Sequence, residues 1–286
     1  SVLVIPAAID GVPLKAIAEG AFDGCAALQD IVLPDGLGSI GIYAFRDCKN
    51  LRSVNIPESV TRIGNSAFYN CEQLRSVVIP GKVTTIPYDT FYHCESLESV
   101  VIREGVQIIG NGAFEGCSAL ISVTIGNGVT SIGKCAFGNC SGLTDITIPD
   151  GVTTIGTQAL EGCSSLTSVT IPGSITSIGS WAFDSCDNLT DIYYNGFRKE
   201  WDKINIGDSA IPSSAVIHYR AAYVEGISLN KQSIELFRGE TFQLIPIITP
   251  EDAADQTVSW TSSDETVVSV DNGTVTGIGT GTAFIT

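Results

Sequence analysis

The sequence contains no methionine, only two histidines and few basic residues. Its 286 residues include 15 Lys and Arg against 31 Asp and Glu, which gives a formal net charge of -16. A chain this acidic is repelled by phosphate backbones, so we expect no nucleic-acid partner. No apolar run reaches the roughly 18 residues that a membrane-spanning helix needs. Because a translation product starts with methionine, we expect a processed or trimmed chain whose first residues are the middle of a repeat.

Motifs that carry chemistry are also absent. The sequence has no paired C-x2-C spacing, P-loop, dinucleotide-binding fingerprint or serine nucleophile elbow. His93 precedes Cys94, but a nucleophile and its base usually come from separate segments of the chain. We therefore predict no catalytic residue, no metal site and no cofactor, and we do not expect an enzyme.

A repeat of 23 residues runs through the first two thirds of the chain. Each unit has a cysteine, with Phe or Leu three residues before it and Leu three residues after it. The unit can be written V-T-x-I-G-x-x-A-F-x-x-C-x-x-L-x-x-V-x-I-P-x-x, and we call one unit a rung. The cysteines of the eight rungs are Cys25, Cys48, Cys71, Cys94, Cys117, Cys140, Cys163 and Cys186.

The apolar columns of this unit predict a leucine-rich-repeat solenoid of parallel strands with short helical turns. The end of L-x-x-V-x-I alternates with period 2, as a strand does, and in-register rungs must place these strands parallel. The V-T-x-I segment should form the opposite wall, and the A-F pair should fill the space between them. One rung cannot bury its own apolar face, so only stacking closes the core. The residue before each cysteine is mostly Gly, Asn or Asp, which indicates a corner with positive φ.

The nine cysteines are predicted to be free thiols. Side chains in a parallel ladder point the same way, which suits disulfide geometry poorly, so we interpret the repeated cysteines as small buried fillers. Cys135 stands outside this column. Its counterparts in other rungs are of mixed type, so we expect it to be exposed and open to reaction.

The remaining third of the chain contains a cap and a second domain. We assign 1–220 to the solenoid, including a cap at 190–220 that contains Trp201 and His218, both expected to pack inside it. Residues 224–286 alternate short apolar segments with turn signals, which indicates an all-β sandwich centred on Trp260 whose last strand can lie beyond Thr286. Asn272-Gly273 is a hairpin signal.

These motifs resemble two known families. The repeat unit, over residues 1 to about 195, resembles the BspA-like class of leucine-rich repeats. Residues 224–286, with Trp260-Thr261-Ser262-Ser263-Asp264 and Gly273-Thr274-Val275-Thr276-Gly277, resemble a group 2 bacterial immunoglobulin-like domain. The resemblance implies a secreted or surface-attached bacterial protein, and some members of the family are implicated in adhesion to host proteins.

A binding site should lie where the outward residues depart from the repeat. Outward positions are two and four residues after each Leu and are mostly small polar residues, whereas Val78 and Val101 are adjacent and apolar. Residues 46–103 hold seven Lys and Arg against six Asp and Glu, a net charge of +1, and the rest of the chain holds eight against 25, a net charge of -17. We predict a ligand-binding patch formed by Arg52, Arg75, Val78, Val101 and Arg103.

The leading hypothesis is an adhesin-like binding protein of the bacterial cell surface or the extracellular space. It would present its repeat sheet to an extracellular protein or glycan, and we expect a monomer. One alternative is a structural stalk or spacer without a discrete ligand site. Another is the targeting region of a larger surface enzyme.

Overall fold

The computed structural model describes residues 2–251 and 253–286. The chain divides into two compact units, Ser1–Tyr219 and Arg220–Thr286. The first unit contains 21 short strands and a single turn of helix. They are β1 (Val2–Val4), β2 (Ala8–Ile9), β3 (Val12–Pro13), β4 (Ala16–Ile17), β5 (Asp30–Val32), β6 (Ser39–Ile40), β7 (Ser53–Asn55), β8 (Arg62–Ile63), β9 (Ser76–Ile79), β10 (Thr85–Ile86), β11 (Ser99–Ile102), β12 (Ile108–Ile109), β13 (Ser122–Ile125), β14 (Ser131–Ile132), β15 (Asp145–Thr147), β16 (Thr154–Ile155), β17 (Ser168–Ile171), β18 (Ser177–Ile178), β19 (Asp191–Tyr194), α1 (Arg198–Trp201), β20 (Asn205–Ile206) and β21 (Val216–Tyr219).

Two walls of parallel strands run along the solenoid. The first wall contains β1-β5-β7, β9-β11-β13 and β15-β17-β19-β21, and the second contains β4-β6-β8 and β10-β12-β14-β16-β18-β20. Strands pair in register with the 23-residue period, so that Val78 lies beside Val101. Val77 and Ile79 of β9 are buried while Ser76 and Val78 are exposed, as the period-2 pattern predicts. We call the outward surface of the first wall the strand face.

The segments around the A-F pairs are series of tight turns, not helices. In one rung the Arg46 amide donates to the Tyr43 carbonyl and the Cys48 amide to the Phe45 carbonyl, both three residues back. The residue before each repeated cysteine has positive φ, which confirms the predicted corner. A second positive-φ position, four residues earlier, was not predicted; in this rung the two are Asp47 and Tyr43, both at 54°. Two left-handed residues within five prevent a helix, so the predicted short helical turns are replaced by this double corner.

The core is built from identical side chains stacked between rungs. The phenylalanines from Phe22 to Phe137 stack with ring centroids 5.1 to 5.4 Å apart, and Leu160 interrupts the column. Each repeated cysteine from Cys48 to Cys186 is buried and donates its thiol to the backbone carbonyl of the Phe or Leu that precedes the cysteine of the previous rung, as Cys117 does to Phe91 at 3.2 Å. Cys25 is exposed, contrary to its place in the column, since no described rung before it covers its thiol.

The glycine that follows the isoleucine of the second wall is required by close backbone approach. A Cβ atom on Gly64 would lie 2.3 Å from the backbone nitrogen of Ile42 in the preceding rung. Neither this glycine nor its counterparts Gly41, Gly110 and Gly133 has positive φ. Pro87, whose ring fixes φ near about -65°, occupies the same column in one rung, in agreement with this.

The cap closes the last rung with aromatic rings. Trp201 of α1 is 6% exposed and packs edge-on against Tyr194 and Tyr219, with centroids 5.0 and 6.2 Å away. The packing predicted for Trp201 is therefore confirmed. His218 instead projects outward from β21, since its neighbours Ile217 and Tyr219 occupy the inward positions of that strand.

The second unit contains two small antiparallel sheets. Strands β22 (Gly226–Leu229) and β24 (Pro246–Thr249) pair with each other, and β26 (Thr274–Gly277) lies between β23 (Thr241–Gln243) and β25 (Val268–Asp271). The Asn272-Gly273 hairpin is confirmed, with φ of 47° and 79° at its two turn residues. Trp260 is half-buried and is not the centre of the unit, because Leu244 and Val275 are more deeply buried.

Candidate functional site

Val78 and Val101 form a pair of apolar side chains in the middle of the strand face. These two side chains lie opposite each other on β9 and β11 and are 41% and 38% exposed. Adjacent outward positions hold Asn55 and Thr124, both exposed. The pair is therefore a small apolar island in a surface of hydroxyl and amide groups.

The three arginines predicted to form a patch lie at opposite ends of these strands. Arg52 and Arg75 precede their strands, and Arg103 follows β11. Arg75 pairs with Glu98 at 3.3 Å and Arg103 with Glu58 at 2.8 Å. The structure therefore places Arg103 at the end of the strand that carries Val101, while Arg52 and Arg75 lie at the other edge of the strand face.

A shallow depression of about 640 Å³ opens beside Val101 at the edge of the strand face. It exists because the proline that ends most of these strands is replaced in two successive rungs by Arg103 and Gly126. The Arg103 side chain crosses the Gly81 rung to reach Glu58, 45 positions earlier in the chain. The depression is lined by Glu58, Gly81, Val101, Ile102, Arg103, Glu104, Thr124, Ile125, Gly126 and Asn127.

The depression combines hydrogen-bond donors and acceptors with an apolar wall. The guanidinium of Arg103 is balanced by the carboxylates of Glu58 and Glu104, so the local charge is not positive. Asn127 and Thr124 add an amide and a hydroxyl, each of which donates and accepts. Such a mixture can position a polar ligand that also presents an apolar face, and it differs from the relatively basic patch expected from the sequence.

The tight turns around the A-F pairs carry several ionisable groups whose charged forms are disfavoured. Cys135 is half-buried, and desolvation followed by the charge of Glu115 raises the pKa of its thiol. Burial also raises the pKa values of the Glu115 and Asp89 carboxyls. Because the thiolate is the reactive form of cysteine, the raised pKa makes Cys135 less reactive than its irregular place in the repeat suggested.

Alkylation of the native protein should distinguish the nine thiols. At about pH 8 we expect iodoacetamide to label Cys25 first and Cys135 slowly, because the first is exposed and the second is half-buried with a raised pKa. Burial raises the pKa of Cys48 to about 12, and this thiol should stay unlabelled until the chain unfolds. Peptide mass mapping of native and urea-treated samples would measure the order. Rapid native labelling of Cys48 would contradict the buried column.

The described residues contain neither a metal-binding cluster nor a membrane-spanning helix. Across 2–251 and 253–286, no group of three or more His, Cys, Asp and Glu side chains is arranged to hold a metal ion. Within the same ranges, no helix has the length and apolar character needed to cross a membrane.

The fold and its strand face define a leucine-rich-repeat solenoid joined to an immunoglobulin-like unit, and comparison with known proteins agrees. Residues 15–125 and 107–213 match the BspA type leucine rich repeat region, in six copies. Residues 223–286 match the bacterial Ig-like domain of group 2. The chain therefore belongs to the BspA-type leucine-rich-repeat family. Domains of these two families are typically non-catalytic, and their combination fits a surface or ligand-binding role.

Similar proteins of known structure share the solenoid. A leucine-rich repeat protein from Bacteroides ovatus is 23% identical, with a TM-score of 0.55 over 77% of this chain and 66% of that one. A leucine rich cell surface protein from Faecalibacterium prausnitzii is 31% identical, with a TM-score of 0.48 over 71% of this chain and 62% of its own. The first of these supports the fold.

Curated relatives match only short stretches. Three of them align over 6% to 16% of their own length, so this chain spans a small part of each. One is an alpha-L-arabinofuranosidase from Bifidobacterium longum, 33% identical over 97 residues, which are 34% of this chain and 8% of that enzyme.

Proposed function

We propose that this chain is a monomeric, adhesin-like binding protein of the bacterial cell surface or the extracellular space. Residues 1–220 would present the strand face to an extracellular protein or glycan, and residues 224–286 would act as a spacer. The observation that carries the proposal is the depression beside Val101, which forms at the one pair of successive rungs from 57 to 172 where the strand-ending proline is missing. We propose Val78, Val101 and Arg103 as its main contact residues, with Arg52 and Arg75 at the far edge.

The ion pair between Arg103 and Glu58 places a hydrogen-bond donor at the rim of this site. Both side chains are more than half exposed, so the pair itself adds little stability. It does hold the guanidinium across an intervening rung, at the rim of the depression. A ligand group that replaces the carboxylate, or bridges the two charges, would meet a donor that is already oriented. Preorganisation of this kind improves affinity by lowering the entropic cost of binding.

The proposal is tested by comparing variants at the two opposite edges of the strand face. Purified extracellular-matrix proteins and a glycan array would be screened with the chain, and affinities measured for each hit. We expect Val101→Ser combined with Arg103→Ala to weaken binding by about tenfold or more, the effect of losing a central contact. Arg52→Ala combined with Arg75→Ala should cost about threefold or less, as rim charges do.

Arg62→Ala provides a matched control for this experiment. Arg62 is an exposed arginine on β8 of the second wall, so removing it changes the net charge equally but leaves the strand face intact. Equal losses for Arg62→Ala and Arg103→Ala would show that binding follows net charge and would refute the site. Unchanged affinity of the Val101→Ser, Arg103→Ala variant would do the same.

A second candidate function is that of the targeting region of a larger surface enzyme. The match to part of an alpha-L-arabinofuranosidase favours it. In that case the chain should be retained on insoluble arabinose-containing polysaccharide and on no matrix protein. A stalk or spacer without a ligand site is the third reading, and it predicts no hit in either screen.

A further inference from the structure

The strand face ends in an aromatic cluster far from the depression beside Val101. Outward positions hold Thr124, Thr147 and Thr170 on β13, β15 and β17, and then Tyr193 on β19. Tyr193 is 46% exposed. It is the only aromatic residue in this column of the repeat, and it is followed on β21 by His218. A large ring therefore rises at the end of a row of small side chains.

The Tyr193 ring is held in one orientation. It stacks on the His218 ring with centroids 4.8 Å apart and an interplanar angle of 17°. His218 is fixed in turn by a 2.6 Å hydrogen bond between its Nε2 and Oδ1 of Asp191. The hydroxyl of Thr190 donates to Oδ2 of Asp191 at 2.7 Å. These two hydrogen bonds hold the pKa of Asp191 below its usual value, and the bond with Thr190 contributes more than the bond with His218.

The side of the Tyr193 ring away from His218 faces a shorter, half-buried side chain, and 46% of Tyr193 stays exposed. His218 covers one face, and the other turns toward the shorter side chain of Thr170 on the neighbouring strand. The Tyr193 ring thus borders the row of Thr124, Thr147 and Thr170, and we call the surface formed by these four residues the shelf.

The shelf is acidic. Its first outward column contains Asp145, Ser168 and Asp191, and neither outward column from β13 to β19 contains Lys or Arg. An aromatic face beside carboxylates attracts cations, both through the ring quadrupole and through charge. A carboxylate or phosphate on a ligand would be repelled by the same surface.

We propose that this shelf is a second binding site, where the exposed part of the Tyr193 ring receives an arginine or lysine side chain of a partner protein. The cation would lie over the ring, with Asp145 and Asp191 supplying the complementary charge. The site is independent of the depression beside Val101 and does not depend on the ligand of that depression.

The probe is an acetylated, amidated hexa-arginine peptide, and its affinity for the full chain is measured by calorimetry at low salt. We expect Tyr193→Ala to weaken binding about fivefold, which is the scale of a cation–π contact at an exposed site. Tyr193→Phe keeps the ring and should stay within about twofold of the parent chain. Asp145→Asn combined with Asp191→Asn should weaken binding and flatten its dependence on salt.

Two controls keep the outcome decisive. Tyr193 is an outward residue, so Tyr193→Ala should unfold in urea at the midpoint of the parent chain, and Val101→Ser should leave the affinity for hexa-arginine unchanged. Equal affinity of Tyr193→Ala and the parent chain would overturn the proposal, since the peptide would then bind the acidic surface without a site. Binding of a neutral arabino-oligosaccharide that depends on Tyr193, with none of hexa-arginine, would overturn it in favour of a glycan site.

Discussion

Raising the pH from about 7.5 to about 10 is expected to lower the free energy of unfolding of the whole solenoid by about 8 kcal/mol. The cause is the cysteine column. Cys71, Cys117, Cys140 and Cys163 are fully buried, and desolvation contributes strongly to raising the pKa values of all four thiols. For Cys163 the side-chain hydrogen bond with Cys186 contributes even more. An unfolded chain ionises its thiols near about pH 8.5, whereas the folded chain keeps these four neutral.

The sign follows from the raised pKa values. The contribution of each thiol to stability is fully present below about pH 8.5 and is lost as the pH rises above it. At about pH 10 each thiol favours the unfolded state by about 2 kcal/mol, and four of them reach about 8 kcal/mol. A loss of this size is comparable to the whole stability of a typical domain. Urea midpoints should therefore fall steeply above about pH 8.5.

Cys117→Ala is the matched control for the thiol column. The variant should lose some stability at neutral pH, because a buried thiol is replaced by a smaller side chain. Its free energy of unfolding should then fall by about 1 kcal/mol less between about pH 8.5 and 9.5, because one ionisable group is missing. The same pH dependence in Cys117→Ala and the parent chain would show that other groups cause the effect.

The repeat made most of the fold predictable. Each column is sampled in eight rungs, so the buried roles of Phe68, Cys71 and Leu74 could be separated from the variable outward positions. Positive φ before the cysteine was predictable because Gly, Asn and Asp dominate there. The second left-handed position was not, since Tyr43, Trp181 and other types that do not signal a turn stand there beside Gly, Asp and Ser.

The candidate sites were less predictable because they depend on contacts between rungs. The sequence indicates that Val78 and Val101 are adjacent, and the register confirms it. It does not show that Arg103 reaches over a glycine to Glu58, or that Arg75 lies at the opposite edge of the strand face. The position of His218 was missed for a related reason: the cap departs from the 23-residue period, so no column indicated which of its residues point outward.

Replacing Phe114 by alanine is expected to destabilise the solenoid by about 3–5 kcal/mol, the range measured for buried phenylalanines. The ring is fully buried between Phe91 and Phe137, with centroids 5.3 and 5.4 Å away. Neighbouring rungs are fixed by their backbone ladders, so they cannot collapse into the space. The cavity would also remove two stacking contacts, each worth about 0.5–1.5 kcal/mol beyond the buried area.

Phe114→Leu separates the two contributions, because the chain already accepts leucine in this column. Leu160 occupies the same position two rungs later and is fully buried. We expect Phe114→Leu to cost about 1–2 kcal/mol, since most of the volume is retained while both stacking contacts are lost. Urea midpoints of the two variants, measured with the slope of the transition, would give the difference. If Phe114→Leu proved as damaging as Phe114→Ala, the aromatic stack and not the filled volume would hold adjacent rungs together.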